Sequence, residues 1–226
     1  MPGDGNDRAL IVGASGGIGA ALAAAFAARG AAVHGLSRSG DGLDVADEAS
    51  VARHLGTLHG PFAHILIATG ALVIDGSEPE KTIRALTPDA MRRQFEVNAI
   101  GPAMVLKHAL RLVPRDGRAV VGVLSARVGS IGDNALGGWY SYRTAKAAVN
   151  QVVRTAAIEL RRTRPEAILV ALHPGTVATG FTAAYADRYP TAAPAQAAAD
   201  LLSVLDGLSP ADTGSFFDWR GERVPW

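Results

Sequence analysis

The sequence predicts an α/β fold, a doubly wound parallel sheet of about six to seven strands flanked by helices. Three observations carry this. Short β-rich apolar runs alternate with longer runs of helical periodicity along the whole chain, as βαβ units do when a parallel sheet is covered on both faces. The first junction, "LIVGASGGIGAALAAAFAARG", passes from a buried strand through a glycine turn into a helix. At 226 residues and 48% apolar content, the chain can bury one sizeable core. Residues 1–226 therefore read as a single domain.

The strand-like runs are Arg8 to Val12, Ala32 to Leu36, His64 to Ala68, Arg118 to Ser125, Ala167 to His173 and Gly214 to Asp218. The helix-like runs are Gly17 to Arg29, Ser50 to Leu58, Pro88 to Val113, Tyr142 to Arg162 and Pro194 to Leu208. Thr87 is a good N-cap for the helix that Pro88 begins, and Pro114 stops it. One interval breaks the rhythm. Between Arg38 and "LDVADEASV" only a few residues intervene, whereas a parallel crossover takes about a dozen. Either a helix is missing there, or a third strand survives as a short or vestigial stub at the sheet edge.

Composition narrows the function classes. Net charge is +1 and the basic residues are scattered, which argues against nucleic acid or an anionic membrane as partner. There are no cysteines, so disulfide and thiolate chemistry are excluded. The N-terminal residues lack an apolar signal core, and the most apolar stretch, Ala20 to Ala28, falls short of the roughly 20 residues that span a bilayer. A cytoplasmic protein without a membrane segment is expected. The histidines at 34, 54, 59, 64, 108 and 173 show no metal-ligand spacing, so no metal site is expected.

In the glycine turn, Gly13, Gly17 and Gly19 let the backbone bend tightly and approach a pyrophosphate at a helix N-terminus. The spacing is G-x-x-x-G-x-G, distinct from the G-x-G-x-x-G fingerprint, and glycine turns also serve packing alone. After the second strand, where an acidic residue would grip an adenosine 2'-hydroxyl, stand Ser37 and Arg38. A guanidinium beside a serine suits a 2'-phosphate, which favours NADP(H) while leaving NAD(H) possible. The plain alternative is a solvated loop arginine.

The segment "WYSYRTAKAAVNQ" places Tyr142 and Lys146 at i and i+4 on one helix face, whereas Tyr140 lies six residues from the lysine and points away. Lowering a phenol pKa by three units takes about 4 kcal/mol, much of which a nearby ammonium can supply. Such pairs also arise by chance on helices.

The order "GASGGIG", "SR", "LDVAD", "LIATGAL", "VNAIGP", "SARVGSI", "YRTAK", "HPGTVAT" resembles the short-chain dehydrogenase/reductase family over nearly the whole chain. Its sniffer or C-factor type carbonyl reductases are the most similar, through "GSIGDNALGGWYSYRTAKAAVN" and "FFDWRGERVPW". The resemblance implies a single Rossmann-like domain and a cofactor cradle at Gly13, Ser15, Gly16, Gly17, Ile18 and Gly19. It implies that Tyr142 donates a proton to a carbonyl oxygen while NADPH delivers hydride, and that Lys146 lowers the tyrosine pKa and holds the nicotinamide ribose. Asn98 would anchor a water in a proton relay. Pro174, Gly175, Val177 and Thr179 would clasp the nicotinamide, Asp44 and Val45 would line the adenine pocket, and Ala68, Thr69 and Gly70 would run beneath the cofactor.

Two departures stand out. The family's catalytic serine is usually the second of a Ser-Ser pair, which here reads Ser125-Ala126. Ser125 is assigned the role, with Ser130 as the alternative. The family's Asn-Asn-Ala-Gly segment is "ATGA", which loses amides that brace the central sheet. Trp139, Leu136, Phe181, Tyr185 and Tyr189 are expected near an apolar carbonyl pocket, and Thr179 to Pro194 reads as a lid. Apolar surplus on the two long helices, together with family habit, suggests a homodimer or homotetramer. The expected activity is NADPH-dependent reduction of an aldehyde, ketone or quinone. An NADP-binding sensor with little turnover is the second reading, motivated by the altered serine motif. A sugar epimerase is disfavoured, because only about 50 residues follow "HPG" and such enzymes carry a larger substrate lobe.

Overall fold

Strand β1 (Arg8–Val12) is wholly apolar after its first residue and lies at the middle of the folding pattern rather than at an edge. The computed structural model describes residues 8–182 and 190–226. The chain runs through α1 (Gly17–Ala28), β2 (Ala32–Leu36), the one-turn α2 (Arg38–Asp41), α3 (Glu48–Gly56), β3 (His64–Ile67), α4 (Pro88–Phe95), α5 (Gly101–Ala109), β4 (Ala119–Leu124), α6 (Tyr140–Leu160), β5 (Ala167–His173), α7 (Pro194–Gly207) and β6 (Phe216–Asp218). The six strands form one parallel sheet in the order β2-β1-β3-β4-β5-β6.

Strand alternation divides the core between the two faces. Val121 and Val123 of β4 pack with Val51 and Leu55 of α3, Val105 and Leu106 of α5, and Val149 and Val153 of α6. Val120 and Leu124 face the other way, onto Leu22 and Phe26 of α1 and Leu201 and Leu205 of α7. The connection after β1 leads to one side of the sheet and β3 lies on the other, so strand order reverses between β1 and β3. In doubly wound sheets such a reversal is where the carboxyl ends of the strands leave room for a ligand.

Three sequence expectations are revised. Among the described residues no third-strand stub occupies residues 43–46, and the sheet ends at β2. The shortfall is met by α2: the Ser37 hydroxyl accepts from the Gly40 N–H at 3.0 Å, the Ser37 N–H donates to Asp41, and Gly42 closes the turn at φ 74°. The helix expected over Pro88 to Val113 is interrupted by a π-helical segment, Glu96–Ile100, which places Asn98 fully inside the protein, and it finishes as a short 3-10 turn at Leu110–Leu112. Helix α6 begins at Tyr140, two residues ahead of the expected start.

Candidate functional site

The crevice is built first from close backbone approach. Gly13, at φ 95°, follows β1, and a Cβ there would stand 2.8 Å from the Ala68 carbonyl group. Glycine is therefore required for the 13–19 turn and the 68–70 segment to touch. Ser15, Gly16 and Gly17 are exposed, Ile18 is half-buried, and no side chain caps the first turn of α1, which also holds no acidic residue. Thr179 lies over Gly17, bringing the segment after β5 onto the same helix N-terminus. The Thr69 hydroxyl is buried without a hydrogen-bond partner among the described residues.

Farther along the strand ends, Gly70 lies against Asn98 and Lys146: a Cβ at Gly70 would be 2.8 Å from Asn98 Oδ1 and 3.5 Å from Lys146 Nζ. Lys146 is 3% exposed, donates to the Leu124 carbonyl at 3.1 Å, and holds Nζ 5.8 Å from the Tyr142 ring centroid. The Tyr142 ring packs on Leu72 with Ala126, Val128 and Trp139 around it, and the Trp139 and Phe181 rings are each 6.1 Å from it. Glycines 13 and 70, Asn98, Tyr142, Lys146 and Thr179 thus come together at one end of the sheet.

The electrostatics differ from the sequence expectation. Burial pushes the Tyr142 phenol above its usual value, and the same burial pushes Lys146 down to about 8. Both charged forms are disfavoured because both groups are removed from water. The expected lowering of the phenol pKa by the ammonium is outweighed in this arrangement.

Other expected residues are committed elsewhere. The Ser125 hydroxyl donates to Asn150 Oδ1 at 2.6 Å, two helical turns below Tyr142. Ser130 is 1% exposed; its hydroxyl donates to the Pro225 carbonyl and accepts from the Asp133 N–H. Asn98 accepts from the Ala71 N–H at 3.0 Å and donates to the Ala71 carbonyl at 2.7 Å and to Gln94 Oε1. It braces the Ala71 backbone directly. Ser37 is 7% exposed and spent on its turn, while Arg38 is exposed and makes no ion pair among the described residues. The Asp44 carboxylate accepts from the Ala46 N–H, and Val45 packs against Gly101 on α5. Beyond β5, Gly175 at φ 78° lies under the Trp219 ring, and Val177 bridges to Ala192. Pro174 leads that turn. Tyr185 and Tyr189 lie outside the described residues, as does the middle of the expected lid, residues 183–189. Leu136 is on the surface, 85% exposed.

Sequence reasoning missed Glu80, Gln94, Arg143 and Asn150. Gln94 is legible in hindsight, four residues before Asn98 on the same helix face. Glu80 is not, since its partner lies 61 residues away. Among the described residues no cluster of His, Asp and Glu could hold a metal ion, and no helix is long and apolar enough to cross a membrane.

The chain is similar to known proteins in sequence and in fold. A family model described as enoyl-(acyl carrier protein) reductase matches residues 13–206. The 1-hydroxy-2-glutathionyl-2-methyl-3-butene dehydrogenase of Rhodococcus sp. (strain AD45) is 39% identical over 144 residues, covering 64% of this chain and 62% of that one. The match thus spans less than two thirds of that relative's length. C-signal of Myxococcus xanthus is 38% identical over 137 residues, 60% of this chain and 78% of that one. Among solved structures, a Burkholderia multivorans short-chain dehydrogenase/reductase with bound NADP superposes with TM-score 0.77 at 26% identity, covering 98% and 100% of the two chains. The carbonyl reductase Sniffer of D. melanogaster gives 0.79 at 20% identity, covering 98% and 100%. By the extent of the family match and the order of its elements, the chain belongs to the short-chain dehydrogenase/reductase family.

Proposed function

We propose that the protein is an NADPH-dependent oxidoreductase that reduces a small aldehyde, ketone or quinone to its alcohol, with Tyr142 as the acid. The observation that carries this is the convergence of Tyr142, Lys146 and Gly70 at the strand ends, next to a glycine cradle whose helix N-terminus is uncapped. A dinucleotide fits the residues present. The helix N-terminus at Ser15 to Gly19 offers backbone N–H groups to a pyrophosphate, the Thr69 hydroxyl has no hydrogen-bond partner among the described residues, and the exposed Arg38 guanidinium, without an ion pair among them, follows β2 and can meet a 2'-phosphate. The NADP carried by the Burkholderia multivorans relative supports the choice of nucleotide.

When bound, the reduced nicotinamide supplies hydride. Tyr142, kept protonated through the neutral range by its burial, donates its proton to the carbonyl oxygen as negative charge develops there. Lys146, pushed down to about 8, is still mainly an ammonium at pH 7 and can hydrogen-bond a ribose hydroxyl beside Gly70. Asn98 holds the Ala71 backbone in place, and Ala68, Thr69 and Gly70 form the floor. Pro174, Gly175, Val177 and Thr179 shape the carboxamide side, and Asp44 and Val45 the adenine side. Ser125 assists through Asn150 and α6 rather than by contact, since its hydroxyl is already used. The apolar wall of Leu72, Trp139 and Phe181 favours an uncharged substrate.

NADPH oxidation followed at 340 nm against a panel of aldehydes, ketones and quinones tests this. Tyr142→Phe is expected to lower kcat by a factor of about 10² to 10⁴ while NADPH still binds. Turnover unchanged in that variant would refute the assignment. The commitment of both Ser125 and Ser130 to other partners favours one second reading, an NADP-binding protein with little turnover. Tight NADP binding without oxidation of any carbonyl in the panel would select it.

A further inference from the structure

The start of α6 is an unusual helix end. Gly137, Gly138 and Trp139 are consecutive left-handed residues, at φ 63°, 67° and 53°, and Trp139 supplies no side-chain cap. A non-glycine residue in this region is strained and persists only where its surroundings hold it. No acidic residue of the helix itself faces the first turn.

The missing cap is delivered from the connection between β3 and α4. Glu80 is 7% exposed, and its carboxylate accepts from the Ser141 N–H at 3.1 Å through one oxygen and from the Ser141 hydroxyl through the other. Its carbonyl accepts from the Trp139 N–H at 2.5 Å. A carboxylate here satisfies orphan donors and faces the positive end of a 21-residue helix. The far end of the same connection is fastened by Asn98 to Ala71 and by Gln94, whose side chain donates to the Leu72 carbonyl at 2.8 Å. Tyr142, the neighbour of Ser141, rests its ring on Leu72. From the other side the Arg143 guanidinium donates to the carbonyls of Val128, Gly137 and Gly138.

We infer that Glu80 is the positioning residue of the Tyr142 turn: by capping α6 from a distant loop it locks the phenol against the segment that carries Gly70. The inference rests on the role proposed for Tyr142, but its physical content is separable from turnover. Glu80→Ala removes the cap, whereas Glu80→Gln keeps a carbonyl acceptor for Ser141 without the charge.

Amide hydrogen exchange over residues 139–146 and steady-state kinetics on the same preparations test it. Glu80→Ala is expected to speed exchange there about tenfold, the loss of one helix cap, and to lower kcat by a similar factor with the NADPH KM within about twofold. Glu80→Gln should recover most of both. Ser141→Ala, which loses only the hydroxyl half of the contact, should fall between and serves if Glu80→Ala does not fold. Exchange in Glu80→Ala within about twofold of the parent, or equal losses in the Ala and Gln variants, would overturn the inference. If the parent oxidises NADPH with no carbonyl, the reading of the activity fails, while exchange still decides the role of Glu80.

Discussion

The two halves of the strand-end crevice are made in opposite ways. Around Gly13 and Gly19 the site is shaped by side chains that are absent, so that backbone meets backbone within one βα junction and beside its neighbour β3. Around Tyr142 it is shaped by side chains that reach across the fold: Glu80 to Ser141, Asn98 to Ala71, Gln94 to Leu72, Ser125 to Asn150. The first half is local, and tolerates no added atom. The second is a set of long-range polar ties, each of which can be cut singly.

The difference can be broken at its most rigid point. Gly13→Val places a branched side chain at φ 95° against the Ala68 carbonyl, and is expected to destabilise the protein by about 3 kcal/mol or more in urea titration. A Cm within error of the parent would mean the 13–19 turn has room that its geometry denies.

Next in size is a gain. Lys146 is buried with its pKa lowered to about 8, so the folded state binds fewer protons than the unfolded state between about pH 8 and 10.5. Stability should therefore rise with pH across that window, the penalty for burying the ammonium being fully present below it. Lys146→Met should stabilise the protein at pH 7 by about 2 kcal/mol, after allowance for the lost bond to Leu124, with the advantage fading toward pH 10.5. Equal pH profiles for variant and parent would contradict the burial of this charge.

A smaller effect sharpens the cofactor half. Arg38→Ala should weaken NADPH binding about tenfold by titration calorimetry and leave NADH binding unchanged. Equal losses for the two nucleotides would place the guanidinium elsewhere than at a 2'-phosphate. The smallest effect belongs to Ser125→Ala, which removes one buried hydrogen bond. It is expected to cost about 1 kcal/mol of stability and to lower kcat less than about threefold. A loss near that of Tyr142→Phe would restore Ser125 to contact with the substrate.

The same contrast explains what was legible in the sequence. Strands β1, β2 and β5 fall on their expected residues, because apolar runs bounded by glycine and proline leave little choice of boundary. Tyr142 was separated from Tyr140 by helical spacing alone, and the earlier start of α6 leaves that argument intact. The turn at Ser37 to Asp41 was hidden, since a short serine-capped turn and a short strand read alike at this length. The direction of the Tyr142 shift was hidden too. Spacing shows that a lysine is near, whereas depth of burial, which decides the sign here, is a property of Leu72, Trp139 and Phe181 arriving from three separate segments. Capping by Glu80 had no local signature at all.

The π-helical turn at Glu96–Ile100 has a consequence for how this chain can change. Such a turn accommodates one surplus residue in an otherwise regular helix. Removing a single residue between 96 and 100 would rewind the segment to ordinary pitch, leaving the helix on either side in register while the residues of the turn itself shift around the axis by up to about 100°. Asn98 would then swing off the Ala71 backbone while Pro88 and Gly101 kept their packing partners. Length, not only residue identity, is thus under constraint at this point.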